Sequence, residues 1–203
     1  MAFTNSLWYT VLGSFLVLQA SAAAVNVTSS SVPYSISAYG IQGTGCSPGT
    51  VTSSIVGGKD INVSYKAFTA SDGPSVSIDE NRKNCQFTVT VQTPAGYQFG
   101  FDKFSYDGSY SVASSVKASY KTYYYFQSSI NQVTGGQTLV GPAKDDCPFS
   151  NSYSGIVWSE CGGTNIVNID TSIRIDNTAN TAGSGAITVK NTPSISNFVW
   201  RTC

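Results

Sequence analysis

An all-β fold, an antiparallel β-sandwich stabilised by disulfides, is what this sequence predicts, and three observations predict it. Apolar and polar residues alternate with a period of two in run after run. Clusters of Gly, Pro, Asp and Ser separate the runs. Residues that favour strands displace those that favour helices: among 203 residues there are 12 tyrosines and 10 phenylalanines, while Leu and Glu are scarce. The length fits one domain, since sandwiches of this size commonly form a single unit.

Taken in order, residues 1–22 read as a secretory signal. The run Val11 to Leu18 is apolar but too short to span a bilayer, and Ala20-Ser21-Ala22-Ala23-Ala24 offers small residues for cleavage. Residues 23–44 carry no charge and read as a mature N-terminal arm with one strand near Tyr34 to Tyr39. Residues 45–203 are the predicted sandwich. Ile61, Val63 and Tyr65 alternate with Asn62, Ser64 and Lys66; Phe87, Val89 and Val91 alternate with Thr88 and Thr90. Tyr97, Phe99 and Phe101 continue the pattern, Val112 and Val116 sit at even spacing, and Val167, Ile169, Ile173 and Ile175 face away from Asn168, Asp170, Ser172 and Arg174. Each run puts one face in a core and the other in water. Gly57-Gly58, Asp72-Gly73-Pro74, Pro94-Ala95-Gly96, Asp107-Gly108, Gly135-Gly136 and Gly183-Ser184-Gly185 are the expected turns.

Composition removes several function classes. The formal net charge is zero, and Arg82-Lys83 is the sole pair of adjacent basic residues, so no stretch suits a nucleic-acid backbone. There is no histidine, which excludes a Ser-His-Asp or Cys-His relay and any His-based zinc or copper site. The five cysteines are too scattered for a CxxC metal site, and export makes them candidates for disulfides. No cofactor and no metal are expected, and no later segment is apolar enough to be a membrane span. Asn26-Val27-Thr28 and Asn62-Val63-Ser64 are acceptor sequences for N-glycosylation at Asn26 and Asn62.

Several fragments together carry a resemblance. They are Gly45-Cys46-Ser47-Pro48-Gly49, Arg82-Lys83-Asn84-Cys85-Gln86, Pro94-Ala95-Gly96-Tyr97-Gln98-Phe99, Tyr124-Tyr125-Phe126-Gln127, Trp158-Ser159-Glu160-Cys161-Gly162 and Trp200-Arg201-Thr202-Cys203. From about Gly45 to Cys203 the chain resembles a domain-of-unknown-function family of small secreted fungal proteins. Glu160 stands where that family usually has proline, and Ser128 where it usually has glycine. Cys147 is additional to the family's four cysteines, so the resemblance implies two bridges among Cys46, Cys85, Cys161 and Cys203. Sequence leaves three pairings of those four open. The resemblance supplies no catalytic residue and implies a fungal exoprotein, a class that includes effectors acting on a host.

Three sets of residues are candidates for function. The segment 141–155 has no periodicity, and it reads as a stiff surface loop presenting Asp145, Asp146, Pro148 and Phe149 to a partner. In the aromatic run Tyr120 to Phe126, alternation sets Tyr123 and Tyr125 against Tyr124 and Phe126. One pair then fills the core while the other covers the sheet, where rings can meet a sugar or a protein. A carboxylate-based glycan hydrolase would need two acids, drawn from Glu80 and Glu160 with Asp79, Asp145, Asp146 or Asp170. Nothing in the sequence holds a second carboxyl at the required separation. The expectation is therefore a secreted, extracellular binding protein and not an enzyme. Its principal reading is an effector that binds a host extracellular protein, concretely a papain-like cysteine protease, with Phe149 as the anchor in the protease cleft. The alternative is a protein that binds cell-wall polysaccharide or is structural there.

Overall fold

The computed structural model describes residues 26–27, 32–192 and 197–203; the predicted signal at 1–22 lies outside them. Fourteen strands and one short 3-10 turn at Ile78–Glu80 make up the described fold. They are β1 (Asn26–Val27), β2 (Ser35–Gln42), β3 (Val51–Val56), β4 (Asp60–Tyr65), β5 (Thr69–Asp72), β6 (Arg82–Thr93) and β7 (Tyr97–Phe101). Then follow β8 (Lys103–Val112), β9 (Lys117–Phe126), β10 (Gln132–Val140), β11 (Ala143–Ser152), β12 (Gly163–Asp176), β13 (Gly185–Thr192) and β14 (Phe198–Thr202). All pairings are antiparallel.

Two large sheets form the sandwich. One runs β10-β9-β12-β6-β2, the other β11-β8-β13-β4-β3 with β5 also on β13. The alternating runs supply the inner faces. Phe87, Val89 and Val91 of β6, Val167, Ile169, Ile173 and Ile175 of β12, and Tyr120, Tyr124 and Phe126 of β9 are buried. Across the gap they meet the second sheet: the Tyr120 and Phe149 rings lie 4.8 Å apart, and those of Tyr65 and Phe87 6.4 Å. A third, three-stranded sheet, β1-β14-β7, packs Phe99, Phe101, Phe198 and Trp200 against Tyr34, Tyr124 and Phe126. The arm expected at residues 23–44 is thus partly sandwich: Ser35–Gln42 is the edge strand β2, paired to β6.

The disulfides are Cys46–Cys85 and Cys161–Cys203, with sequence separations of 39 and 42. Loops of this length contribute about 4 kcal/mol each in the chain-entropy treatment. The first bridge is buried; both cysteines of the second are exposed. Beside the second, the Trp-Ser-Glu-Cys-Gly motif acts through its backbone. The Ser159 hydroxyl accepts from the Phe99 N–H and donates to the Glu160 carbonyl, while Asn165 accepts from the Glu160 N–H and donates to Thr93 and to the Gly162 carbonyl. Arg201 stacks over Trp158 at 4.3 Å and donates to Gln98.

Two expectations are corrected. Asp107-Gly108 and Gly135-Gly136 are not turns but lie inside β8 and β10. Gly108 is there because the Phe149 ring rests on it: a Cβ would come within 2.2 Å of that ring. The segment 141–155 is mostly strand β11, paired to β8 over ten residues. Its aperiodic look arises because Pro148 and two aspartates occupy an edge strand, where an unpaired side tolerates a missing N–H and charge.

Phe149→Ala should lower stability by about 3–5 kcal/mol, the usual cost of deleting a buried aromatic ring, read as an earlier urea midpoint. An unchanged midpoint would contradict its place between the sheets. Mild reduction followed by alkylation and mass spectrometry should label Cys161 and Cys203 before Cys46 and Cys85, because thiol–disulfide exchange requires access to the sulfur.

Candidate functional site

The four residues expected to contact a partner do not form one exposed patch. Phe149 is only 2% exposed and packs on Tyr106 and Tyr120. It is therefore a core residue and not the anchor of a wedge, because alternation along β11 turns it inward. Asp146 is exposed and bound to Lys190 at 2.8 Å. Asp145 is exposed and, with Tyr110, Lys144 and Thr188, borders a shallow depression of about 500 Å³. Pro148 is exposed opposite Asp107.

The remaining candidates are scattered. Asn62 is exposed on β4 and borders a polar depression of about 440 Å³ with Thr52, Ser54, Asp107 and Asn191. Asn26 pairs with Arg201 in the small sheet. Glu160 is exposed and lacks the burial that would suit a general acid, and Glu80 holds Lys83 at 3.0 Å. Among the described residues no three His, Cys, Asp or Glu side chains gather as metal ligands.

The outer face of the five-stranded sheet is organised differently. On β9 the alternation directs Tyr124 inward, where its hydroxyl accepts from the Phe101 and Val157 N–H groups and lies 3.0–3.1 Å from their carbonyls. Tyr123 and Tyr125 point outward, half-buried, with ring centroids 6.3 Å apart and planes within 15°. The register then sets Asp170 beside Tyr123 and Asn168 beside Tyr125 on β12, with Gln86 and Thr88 beyond them on β6.

The two β12 residues are each held by neighbours on β6. Asn168 accepts from Gln86 at 3.2 Å and from Thr88 at 2.7 Å. Asp170 accepts from Asn84 at 3.1 Å. Asp170 is only 5% exposed although it stands on an outer face. That burial raises its carboxyl above the ordinary 3.8, against the lowering effects of the Asn84 hydrogen bond and the Arg82 charge. Burial also raises Tyr123, helped by the charge of Asp170. On the other flank Lys121, Thr134, Gly135 and Gly136 border a groove of about 400 Å³. The face thus offers two parallel rings, fixed hydrogen-bonding groups and a shallow groove. Alternation made the tyrosine pair visible in the sequence. The partnership with Asp170 and Asn168 required strand order, because β9 and β12 are separated by two intervening strands in the chain.

The chain has a relative among known secreted proteins. An uncharacterized secreted protein of Arthroderma benhamiae is 32% identical over 136 residues, which is 66% of this chain and 56% of that protein. The chain therefore spans little more than half of that relative's length. Two solved structures align broadly at low similarity. TmCBM61, in complex with β-1,4-galactotriose, shares 15% identity over 82% of this chain and 90% of its own, with a TM-score of 0.26. The family 11 carbohydrate-binding module from Clostridium thermocellum, in complex with a mixed-linked tetrasaccharide, shares 10% over 89% and 97%, with a TM-score of 0.25. At such TM-scores neither likeness bears on function. No helix among the described residues is long and apolar enough to cross a membrane. Residues 33–203 match the family described as Domain of unknown function (DUF4360), and the chain is a secreted, all-β member of that family.

Proposed function

We propose that this protein binds an extracellular polysaccharide on the outer face of its five-stranded sheet. The observation that carries the reading is the parallel Tyr123–Tyr125 pair beside Asp170, held by Asn84, and Asn168, held by Gln86 and Thr88. A sugar ring presents an apolar face, which suits an aromatic plane, and a rim of hydroxyls, which need fixed donors and acceptors. Here both are held before any ligand arrives, so little side-chain freedom remains to be lost on binding.

Binding suits the face better than hydrolysis. The next acid on the same face of β12 is Asp176, six residues from Asp170. At the usual strand rise that is about 20 Å, beyond the ~6.5–9.5 Å separation of an inverting pair. Occlusion of a host cysteine protease would need an anchor other than Phe149, and Asp145, Asp146 and Pro148 remain as exposed groups without one. The effector reading therefore stays second to the polysaccharide reading.

Affinity electrophoresis through soluble neutral glucans and galactans tests the proposal. Tyr123→Ala and Tyr125→Ala should each weaken retardation by about 2- to 10-fold, matching ~0.5–1.5 kcal/mol for an aromatic contact, with the unfolding midpoint nearly unchanged. Tyr124→Ala should instead destabilise the fold. Full retention of binding by the Tyr123/Tyr125 double variant would sink the assignment of this face.

Acidity should act on binding and stability in opposite directions. Asp170 is raised, so its proton is taken up above the ordinary value of 3.8 as pH falls. Protonation removes a charged acceptor, and affinity for a neutral glycan should drop in that window. The folded state meanwhile holds this proton more tightly than the unfolded chain, so the group's stability contribution is greatest below the ordinary value and is lost as pH rises through the raised one. Asp170→Asn should remove both dependences relative to the unaltered protein, measured by electrophoresis and thermal unfolding across pH 3–7. Identical pH profiles for the two proteins would refute the role of Asp170.

A further inference from the structure

We infer that the glycan bound on this face is acidic, a uronate polymer whose carboxylates sit at Arg82, Arg174 and Lys121. The inference rests on the polysaccharide reading and adds the chemical class of the ligand. Its starting point is an arrangement the fold itself does not need. Arg82 of β6 and Arg174 of β12 are direct cross-strand partners, both on the outer face and both exposed. Like charges directly opposite one another destabilise a sheet.

Among the described residues no acid forms an ion pair with either arginine; the ion pairs within 4.0 Å are Lys83–Glu80 and Lys190–Asp146. Asp170 feels the Arg82 charge, but its hydrogen bond comes from Asn84. Asp176 feels Arg174 and Lys117, but its carboxylate is engaged by Thr178. The chain as a whole is neutral, with 11 basic and 11 acidic residues. Even so, Lys117, Lys121, Arg82 and Arg174 all project from this one face against Asp170 and Asp176.

The register gives the cations a shared focus. Ser172 of β12 lies between Lys121 of β9 and Asn84 of β6, and Arg174 and Arg82 occupy the next outward row. Serine is small, so an anion above Ser172 would have Lys121 beside it in the same row and Arg82 and Arg174 in the next. One outward row the other way are Tyr123 and Asp170. Adjacent outward rows are about 6.6 Å apart at the usual rise, so a sugar ring on Tyr123 brings a carboxylate on it or on its neighbour to Ser172. Arginine suits this task because its planar fork accommodates a carboxylate through two N–H groups. The strip thus reads aromatic at Tyr125 and Tyr123 and basic at Ser172 and beyond, as a polymer with both a stacking face and a charge requires.

Polygalacturonate and its fully methyl-esterified form isolate the charge, since they share a backbone and differ in the carboxylate. The full secreted protein should bind polygalacturonate at least about ten-fold more tightly than the ester at low salt, the preference vanishing near 1 M NaCl, where the screening length is about 3 Å. The Arg82→Gln/Arg174→Gln protein should lose most of that preference through weaker binding of polygalacturonate, with its unfolding midpoint not reduced. Tyr123→Ala should weaken both polymers. Equal affinity of the unaltered protein for the two forms, with Tyr123→Ala still weakening them, would overturn the acidic-ligand inference and leave the polysaccharide reading standing. Binding to neither polymer nor to neutral glycans would overturn both. Poly-glutamate bound as tightly as polygalacturonate, with no effect of Tyr123→Ala, would reduce the strip to unspecific attraction and overturn the inference as well.

Discussion

The strict two-residue alternation of β9 and β12 is the constraint on which both core and face depend. Each strand is paired on both sides, so neither can rotate a side chain from one face to the other without losing its register. Tyr120, Tyr124 and Phe126 must then fill the sandwich, and Tyr123 and Tyr125 must stand outside it. The Tyr124 hydroxyl reinforces this division. It satisfies backbone groups of Phe101 and Val157 that burial would otherwise leave without partners, tying β9 to β7 and to the segment before Cys161. The outward rings are therefore held at a fixed spacing by inward neighbours anchored in the core.

The buried Asp170 shows where this surface departs from what stability alone would select. A carboxylate at an almost covered position needs hydrogen-bonding company to stay ionised. Asn84 supplies a donor, and Arg82 supplies charge. Asn168, equally covered, is satisfied by Gln86 and Thr88. Threonine or valine at these places would suit an ordinary solvent-facing strand. A row of covered polar groups, an aromatic pair and two opposed arginines on one sheet is a local conflict with the propensity rules obeyed on the inner face. Such conflicts concentrate where a surface has work other than folding.

The two bridges and the motifs around them serve the frame. Cys46–Cys85 is sealed beside Phe68, which rests so close to Gly45 that no side chain fits there. Cys161–Cys203 fastens the end of β14 to the loop that leads into β12, and Ser159 and Asn165 satisfy the backbone of that loop. The fragments that carry the family resemblance are thus mostly structural. They identify the fold without pointing to its ligand.

Alternating apolar runs in β4, β6, β7 and β12 were legible because each has one buried and one wet face, and a single strand records that in its own residues. The same rule separated Tyr123 and Tyr125 from Tyr124 and Phe126. It failed at Gly108, Gly135 and Gly136, where glycine inside a strand looks like a turn, and in β11, where edge position hid the strand and made a core phenylalanine look like an exposed anchor. Local periodicity and composition were enough for an all-β chain, its cysteines and its outward tyrosines, since each of these is written within a few neighbouring residues. Which cysteines join and which strands become neighbours emerged with the assembled sheets. So did the meeting of Asp170, Asn168, Arg82 and Arg174 with the tyrosine pair, because it depends on the order of strands in a sheet, which no stretch of sequence encodes alone.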